Sequence, residues 1–237
     1  MKKLLVVAIF TLVLIFAGFI AYSTLTAPTK APSTPPIVSD KRLEPTPTNE
    51  PVTPINDTPT NTYGIVMTSS KTTFSIFEML RGEPRTVIGT TTNVSGYIDV
   101  DPTDLKKATI SEIRINARSF ATDSSQRDNM IRRTILKTED DANEFIVFTP
   151  KSVKGLPASA AIGMEFTFNV TGDLLIAGVT KETTFQGTGK FTSDTELTGT
   201  AKTKVKRADF NIIIPNLPFL ADIADEVPLQ IDFIAKK

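Results

Sequence analysis

The strongest constraint on the fold is the stretch MEFTFNVTGDLLIAGVTK, which begins at Met164. From Met164 to Val170 every second residue is apolar and the residues between them are polar, which is typical of a strand with one buried and one wet face. After Gly172 a short apolar run, 174–177, is closed by Gly178. This pattern predicts a strand, a bend and a further strand, so we expect a sheet that folds back on itself.

The composition excludes several classes of function. Lys and Arg together number 26, and so do Asp and Glu, so no net charge favours a nucleic acid partner. The chain has no Cys, which excludes disulfides, thiolate catalysis and Cys-type zinc sites. It also has no His, the commonest general base near neutral pH. An enzyme made from this sequence would have to work with carboxylates, Lys, Ser, Thr or Tyr alone. We predict a binding protein and not an enzyme, without a metal or a cofactor.

The aromatic residues are unevenly distributed among the three types. The chain has 15 Phe, 3 Tyr and no Trp. A phenyl ring buries a large area and carries no polar group, whereas Tyr and Trp need a hydrogen-bond partner when they are buried. A chain so rich in Phe is expected to form an apolar core or to line an apolar cavity.

The N-terminal segment has the length and polarity of a membrane anchor. Residues 4–22 contain no charged residue and follow Lys2 and Lys3. A helix needs about 20 such residues to cross a bilayer, and the two lysines favour a cytoplasmic N-terminus. We predict a signal anchor at 1–22, with the rest of the chain on the extracytoplasmic side of the cell membrane. The alternative is a signal peptide, cleaved by about residue 27, which would give a secreted protein.

A linker follows the predicted anchor. Residues 23–62 hold nine of the sixteen prolines, many Thr and Ser, and neither glycine nor an aromatic residue. Proline blocks both helix and sheet, and such a segment cannot bury enough apolar surface to fold. We predict that this segment is disordered and separates the anchor from one domain at 63–237.

Residues 63–237 carry the patterns of a β protein. About eight to ten short alternating segments follow one another, and one helical pattern, 124–136, interrupts them, with Asp123 and Ser124 as candidate N-caps. A change of phase between Ile76 and Phe77 predicts a bulge. An antiparallel sheet of this size tends to close, because closure removes unpaired edges. We predict an all-β fold, a closed antiparallel extended β-barrel with one short helix.

Several blocks of this domain resemble the YceI-like family of extracytoplasmic lipid-binding proteins. The block GDLLIAGVTK, which begins at Gly172, resembles the family's Gly-Asp-Leu and Gly-Val-Thr-Lys words. The other residues that resemble family motifs are Phe74, Ser75, Ile76, 96–101, 119–122, Arg127, Asp128, Ile131, Arg132, Arg207, Asp209 and Phe210. Met130 stands where the family usually has His, and Asn211 stands where it has Gly. Any polar role of that His is therefore absent here.

The resemblance implies a lipocalin-like barrel that holds a polyisoprenoid or a similar long amphiphilic lipid. The hydrocarbon would leave water for a lining of Phe and Ile at about 25 cal/mol per Å², with the polar head near the mouth. The expected function is sequestration or transport of this lipid close to the membrane, and a homodimer is left open. The predicted lining residues are Phe74, Ile76, Ile98, Ile113, Ile115, Phe145, Val147, Phe166, Phe168, Val170, Ile176, Phe185, Phe210 and Phe233.

Two other functions are compatible with the sequence. The first is a cell-surface adhesion or stress-response module, whose barrel is packed solid and binds no lipid. The second is hydrolysis by paired carboxylates, which requires two acidic side chains that converge in an open cleft. The interior of the sheet decides between the lipid-binding protein and the adhesion module, because only the former needs a hollow.

Overall fold

The computed structural model describes residues 29–36, 61–215, 217, 218 and 220–237. The chain divides into two units, Met1–Lys30 and Ala31–Lys237. The predicted anchor, residues 1–22, and residues 23–28 and 37–60 of the predicted linker lie outside the described residues. Within the described ranges, no helix has the length and hydropathy that a membrane span requires.

In the described part of the second unit, β-strands are the main secondary structure. In the part of the chain that is described, the strands are β1 Thr62–Ile65, β2 Lys71–Leu80, β3 Glu83–Thr91, β4 Val94–Ser95, β5 Tyr97–Asp101, β6 Asp104–Ile110, β7 Ile113–Asn116, β8 Phe145–Lys154, β9 Glu165–Ile176, β10 Val179–Ser193, β11 Glu196–Lys206, β12 Leu220–Ala221 and β13 Glu226–Lys236. One helix, α1 Ser125–Met130, continues as a π-helical turn, Ile131–Ile135. The Ser124 side chain caps α1 by accepting a hydrogen bond from the Arg127 amide, as the sequence predicts.

The strands form one curled antiparallel sheet. Their order is β4-β7-β8-β9-β10-β11-β13-β1-β5-β6, and β2 branches from β13 and carries β3 and β12. The sheet splits because β13 pairs with β1 through residues 235–236 and with β2 through residues 229–232. Among the described strands, no pairing joins β4 to β6. The all-β prediction is confirmed as a curled sheet, but hydrogen bonds do not close it into the predicted ring.

The hairpin of β9 and β10 is the longest regular part of the sheet. Its twelve residue pairs run without interruption from Val179 opposite Ile176 to Lys190 opposite Glu165. The reversal that the sequence predicts lies at Ala177 and Gly178, whose φ values are 48° and 81°. Both residues adopt the left-handed region that a two-residue hairpin turn requires. No bend interrupts β9 at Gly172.

The bulge predicted in β2 is wrong. The pairing of β2 with β3 runs without a shift from Thr72 to Leu80. Phe74, Ile76 and Glu78 therefore share one face of the strand, and Glu78 is buried while Phe77 is exposed. The apparent phase change arises because a charged residue occupies an inward position, where the sequence pattern favours an apolar residue.

Four phenylalanine rings lie over glycines on the neighbouring strand. Each pair faces directly across the antiparallel register: Phe74 with Gly89, Phe166 with Gly189, Phe168 with Gly187, and Phe233 with Gly199. A Cβ atom added at any of these glycines would overlap the opposite ring. The rings therefore lie along the wall of the sheet, in the space that a side chain on the neighbouring strand would otherwise fill.

One part of the interior is packed solid by aromatic rings. Phe191 is fully buried, and its ring centroid lies 5.9 Å from that of Tyr63 and 5.8 Å from that of Phe166. The Tyr63 hydroxyl donates a hydrogen bond to the carbonyl of Asp194 at 3.3 Å. This aromatic cluster, with the fully buried Leu105, leaves no room for a ligand at that point.

Substitution of one glycine that lies under a phenylalanine ring tests this packing. Gly187→Ala is expected to destabilise the protein by about 1–3 kcal/mol, the usual cost of overpacking, because the new methyl group meets the Phe168 ring and the Thr200 carbonyl. Urea unfolding measures this change. Thr167→Ala, at an exposed position of β9, is the matched control and should cost about 0.5 kcal/mol or less. Equal stability of Gly187→Ala and the control would contradict the packing described here.

Candidate functional site

The β domain contains a cavity of about 400 Å³, which none of the residues of the aromatic cluster lines. Its walls come from β2, from α1 and the π-turn, and from the segment between β11 and β13. The residues that line it are Phe74, Ile76, Glu78, Leu80, Val87, Phe120, Ser124, Gln126, Arg127, Met130, Ile131, Ile135, Leu136, Ile146, Ile176, Val205, Arg207, Phe210, Ile212, Ile214, Leu217, Leu220, Val227 and Leu229. Most of these side chains are apolar, so the cavity favours hydrocarbon over water.

A second cavity of about 120 Å³ adjoins the first. The two share five lining residues, Phe74, Phe120, Ile146, Ile176 and Leu229. Phe74 and Phe120 make an edge-to-face contact, with ring centroids 5.2 Å apart and an angle of 66° between the rings. This pair forms part of the partition between the larger and the smaller cavity.

The polar lining of the larger cavity is concentrated around Glu78. The Glu78 carboxylate is buried, and an oxygen of it lies 3.8 Å from a guanidinium nitrogen of Arg127. Arg127 also pairs with the exposed carboxylate of Asp123. Arg207 donates hydrogen bonds to the carbonyls of Ala224 and Ile223 at 2.8 and 3.3 Å. The cavity therefore has charged side chains near the β2–β3 hairpin and apolar ones toward the partition.

A third concavity, of about 490 Å³, has a different character. It is an open groove lined by polar side chains that include Gln186, Lys202 and Thr203, and by Lys204, which pairs with Glu226 at 2.8 Å. A surface of this kind suits water and ions better than hydrocarbon. The two apolar cavities are therefore the candidate site.

Eleven of the fourteen predicted lining residues line the two apolar cavities. They are Phe74, Ile76, Ile98, Ile113, Ile115, Phe168, Val170, Ile176, Phe185, Phe210 and Phe233. The structure brings these positions together around one hollow. Contact of each with a ligand stays a prediction.

The other three predicted residues, Phe145, Val147 and Phe166, do not line the cavities. On β8 it is Ile146 and Phe148 that face the hollow, so Phe145 and Val147 lie on the opposite face of the strand. There the Arg114 guanidinium lies 5.3 Å from the centre of the Phe145 ring. Phe166 has the expected phase on β9 but belongs to the aromatic cluster around Phe191.

The prediction also missed residues that line the larger cavity. Glu78 was missed because a buried acid looks like a break in the apolar pattern of β2. Met130, Ile131 and Ile135 lie at helical spacing, which marked them as an apolar face without showing what the face covers. Between β11 and β13, Ile212, Ile214 and Leu217 lie in a segment without regular periodicity, so only their apolar character offered a signal.

Comparison with protein families identifies the fold. A family model described as a YceI-like domain matches residues 63–235. This chain belongs to the YceI-like domain family. The resemblance found in the sequence blocks is thereby confirmed over nearly the whole β domain. No curated protein matches the chain.

Solved structures resemble the YceI-like domain at low sequence identity. BcnA from Burkholderia cenocepacia matches with a TM-score of 0.57 and 18% identity, over 73% of this chain and 99% of BcnA. A polyisoprenoid-binding domain from Saccharophagus degradans, implicated in plant cell wall breakdown, also gives 0.57 and 18%, over 73% and 97%. The YceI protein of Campylobacter jejuni gives 0.50 and 22%, over 63% and 84%. At these identities, the likeness establishes the fold.

The buried carboxylate of Glu78 provides a test of the polar lining. Arg127→Met is expected to cost about 1–3 kcal/mol at neutral pH, because it leaves a buried charge without its counter-charge. The double variant Arg127→Met/Glu78→Gln should regain at least half of that loss. Asp123→Asn, which removes only the exposed partner of Arg127, should change stability by about 0.5 kcal/mol or less. Chemical denaturation of the four proteins gives these values. A double variant no more stable than Arg127→Met would contradict the pairing.

Proposed function

We propose that this protein holds a polyisoprenoid or a similar long amphiphilic lipid in the apolar cavity, for sequestration or transport. The observation that carries the proposal is a hollow of about 400 Å³ with a mostly apolar wall and a smaller apolar extension. Transfer of a hydrocarbon chain from water into such a cavity is favourable by about 0.8 kcal/mol for each buried CH₂ group. The polyisoprenoid-binding domain of Saccharophagus degradans, which has the same fold, supports the choice of ligand class.

The positions of the polar and apolar side chains in the cavity determine the orientation of the bound lipid. The hydrocarbon tail lies along Ile76, Ile131 and Leu229 toward the Phe74–Phe120 partition. The polar head lies beside Glu78, Arg127 and Arg207, whose side chains carry hydrogen-bond donors and acceptors. No step of this mechanism breaks or forms a covalent bond, so we assign binding and not catalysis.

The proposed location follows from the N-terminal sequence. The uncharged run 4–22 behind Lys2 and Lys3 supports a signal anchor that holds the domain on the extracytoplasmic side of the cell membrane. An anchored domain would exchange lipid with the bilayer over a short distance. Cleavage of the segment, the alternative, would release a secreted carrier with the same cavity.

The adhesion module is the weaker candidate. It requires an interior packed solid by its own side chains, and the aromatic cluster around Phe191 satisfies this requirement in one region only. The hollow between β2, α1 and the segment before β13 has no role in an adhesion module. A cavity that is costly to leave empty favours a ligand.

A substitution that fills the cavity tests the proposed function. Ile76→Phe places a larger side chain in the hollow and should weaken the binding of a fluorescent prenyl alcohol by about tenfold or more, equivalent to about 1.4 kcal/mol. Ile88→Phe is the matched control, because Ile88 lies on the adjacent strand with 55% of its surface exposed. Titration of the full chain measures both affinities. Equal binding by the two variants, or no binding by the unmodified chain, would refute the proposal.

A further inference from the structure

Residues 31–36 of the predicted linker are bound to the β domain through Ser33. The Ser33 amide and hydroxyl both donate hydrogen bonds to one carboxylate oxygen of Glu144, each at 2.7 Å. The Ser33 carbonyl accepts hydrogen bonds from the side-chain amides of Asn116 and Asn93 at 2.6 and 3.2 Å. Three polar groups of a single linker residue are thus satisfied by the domain. We call residues 31–36 the strap.

The surface beneath the strap is a polar site whose side chains are buried when the strap is in place. Asn116 is fully buried and Glu144 is 6% exposed. The second carboxylate oxygen of Glu144 lies 2.8 Å from the guanidinium of Arg118, which is itself 5% exposed. Pro35 of the strap is fully buried as well. Buried charges and amides of this kind are costly unless they are paired, so the site is arranged for the groups that Ser33 supplies.

A series of hydrogen bonds connects this site with the cavity wall. Arg118 Nε donates to the carbonyl of Thr138 at 2.6 Å. The Thr138 amide donates to the carbonyl of Arg132 at 2.7 Å, and the Arg132 guanidinium donates to the carbonyl of Phe120 at 3.0 Å. Phe120 belongs to the partition between the cavities, and the π-turn that contains Arg132 lines the larger cavity through Ile131 and Ile135.

We propose that the site formed by Glu144 and Asn116 binds the strap in cis, and that the bound strap braces the wall of the cavity between residues 116 and 138. The bound strap and a filled cavity then stabilise each other, because both require the same arrangement of this wall. The part of the proposal that concerns the ligand rests on the proposed function. The bracing itself is a property of the ligand-free protein.

The ionisation of Glu144 is consistent with this role. Burial raises the pKa of Glu144, but the hydrogen bonds from the Ser33 hydroxyl, the Ser33 amide and Asn116, together with the charge of Arg118, outweigh burial and hold the pKa below its ordinary value. Asp141, the other charged group at this point, pairs with Arg118 at 2.6 Å. Glu144 is therefore ionised at neutral pH. Its contribution to stability is present above the ordinary pKa of a glutamate and is lost as the pH falls through the lowered value.

Amide exchange in the ligand-free full chain tests the brace. Ser33→Ala removes one donor to Glu144 and Ser33→Pro removes both, whereas Thr34→Ala changes an exposed neighbour and is the control. The reporters are the amides of Leu136 and Thr138, which donate within the wall. We expect their exchange to quicken by about tenfold in Ser33→Ala and further in Ser33→Pro, because the lost hydrogen bonds are to a charged acceptor. Thr34→Ala should match the unmodified chain.

Three outcomes of the exchange measurement overturn the brace. The first is equal exchange at Leu136 and Thr138 in all variants. The second is an increase in exchange in Thr34→Ala as large as that in the Ser33 variants. The third is an equal increase at the amides of the β9–β10 hairpin, which would show a general loss of stability instead of a local one.

Ligand binding tests the coupling separately. The affinity for a fluorescent prenyl alcohol should fall by about fivefold or more in Ser33→Pro relative to Thr34→Ala. Equal affinities would overturn the coupling and leave the proposed function intact. If neither the variants nor the unmodified chain bind the probe, the proposed function fails, and the exchange measurement still decides whether the strap braces the wall.

Discussion

The structure depends on how phenylalanine rings pack against the inner face of the sheet. In four places a ring lies over a glycine directly across the register. Side chains in a strand usually stand away from the sheet and fill the space between its walls. Here the missing Cβ atoms let these four rings lie along the wall of the sheet instead of filling the space in front of it.

The interior is consequently divided between a packed and a hollow region. Around Phe191 the rings of Tyr63 and Phe166 meet and supply the core that stabilises the sheet. A separate cavity lies between β2, α1 and the segment between β11 and β13, and apolar side chains make up most of its lining. One fold thus has a core that provides stability and a separate cavity that is available for a ligand.

Much of this arrangement could be predicted from the sequence, because alternation with a period of two fixes which residues of a strand face inward. The β9–β10 hairpin, the helix capped by Ser124 and eleven lining residues follow from such patterns. The alternation predicts the wrong face where tertiary contacts determine burial. Glu78 is buried and lies close to Arg127. On β8, Ile146 and Phe148 face the cavities instead of the predicted Phe145 and Val147. Local patterns also cannot show that Ser33, 111 positions before Glu144, binds to it.

The interior next to the Phe74–Phe120 partition is hollow, and we propose that it holds hydrocarbon. A crystal structure of the protein with a bound prenyl alcohol measures this directly. The account predicts continuous density for an extended chain from Glu78 past Ile76 and Ile131 toward Phe120, with the four phenylalanine rings still over their glycines. A structure in which Phe74, Phe120 and Leu217 fill that space, with no density for the ligand, would contradict it.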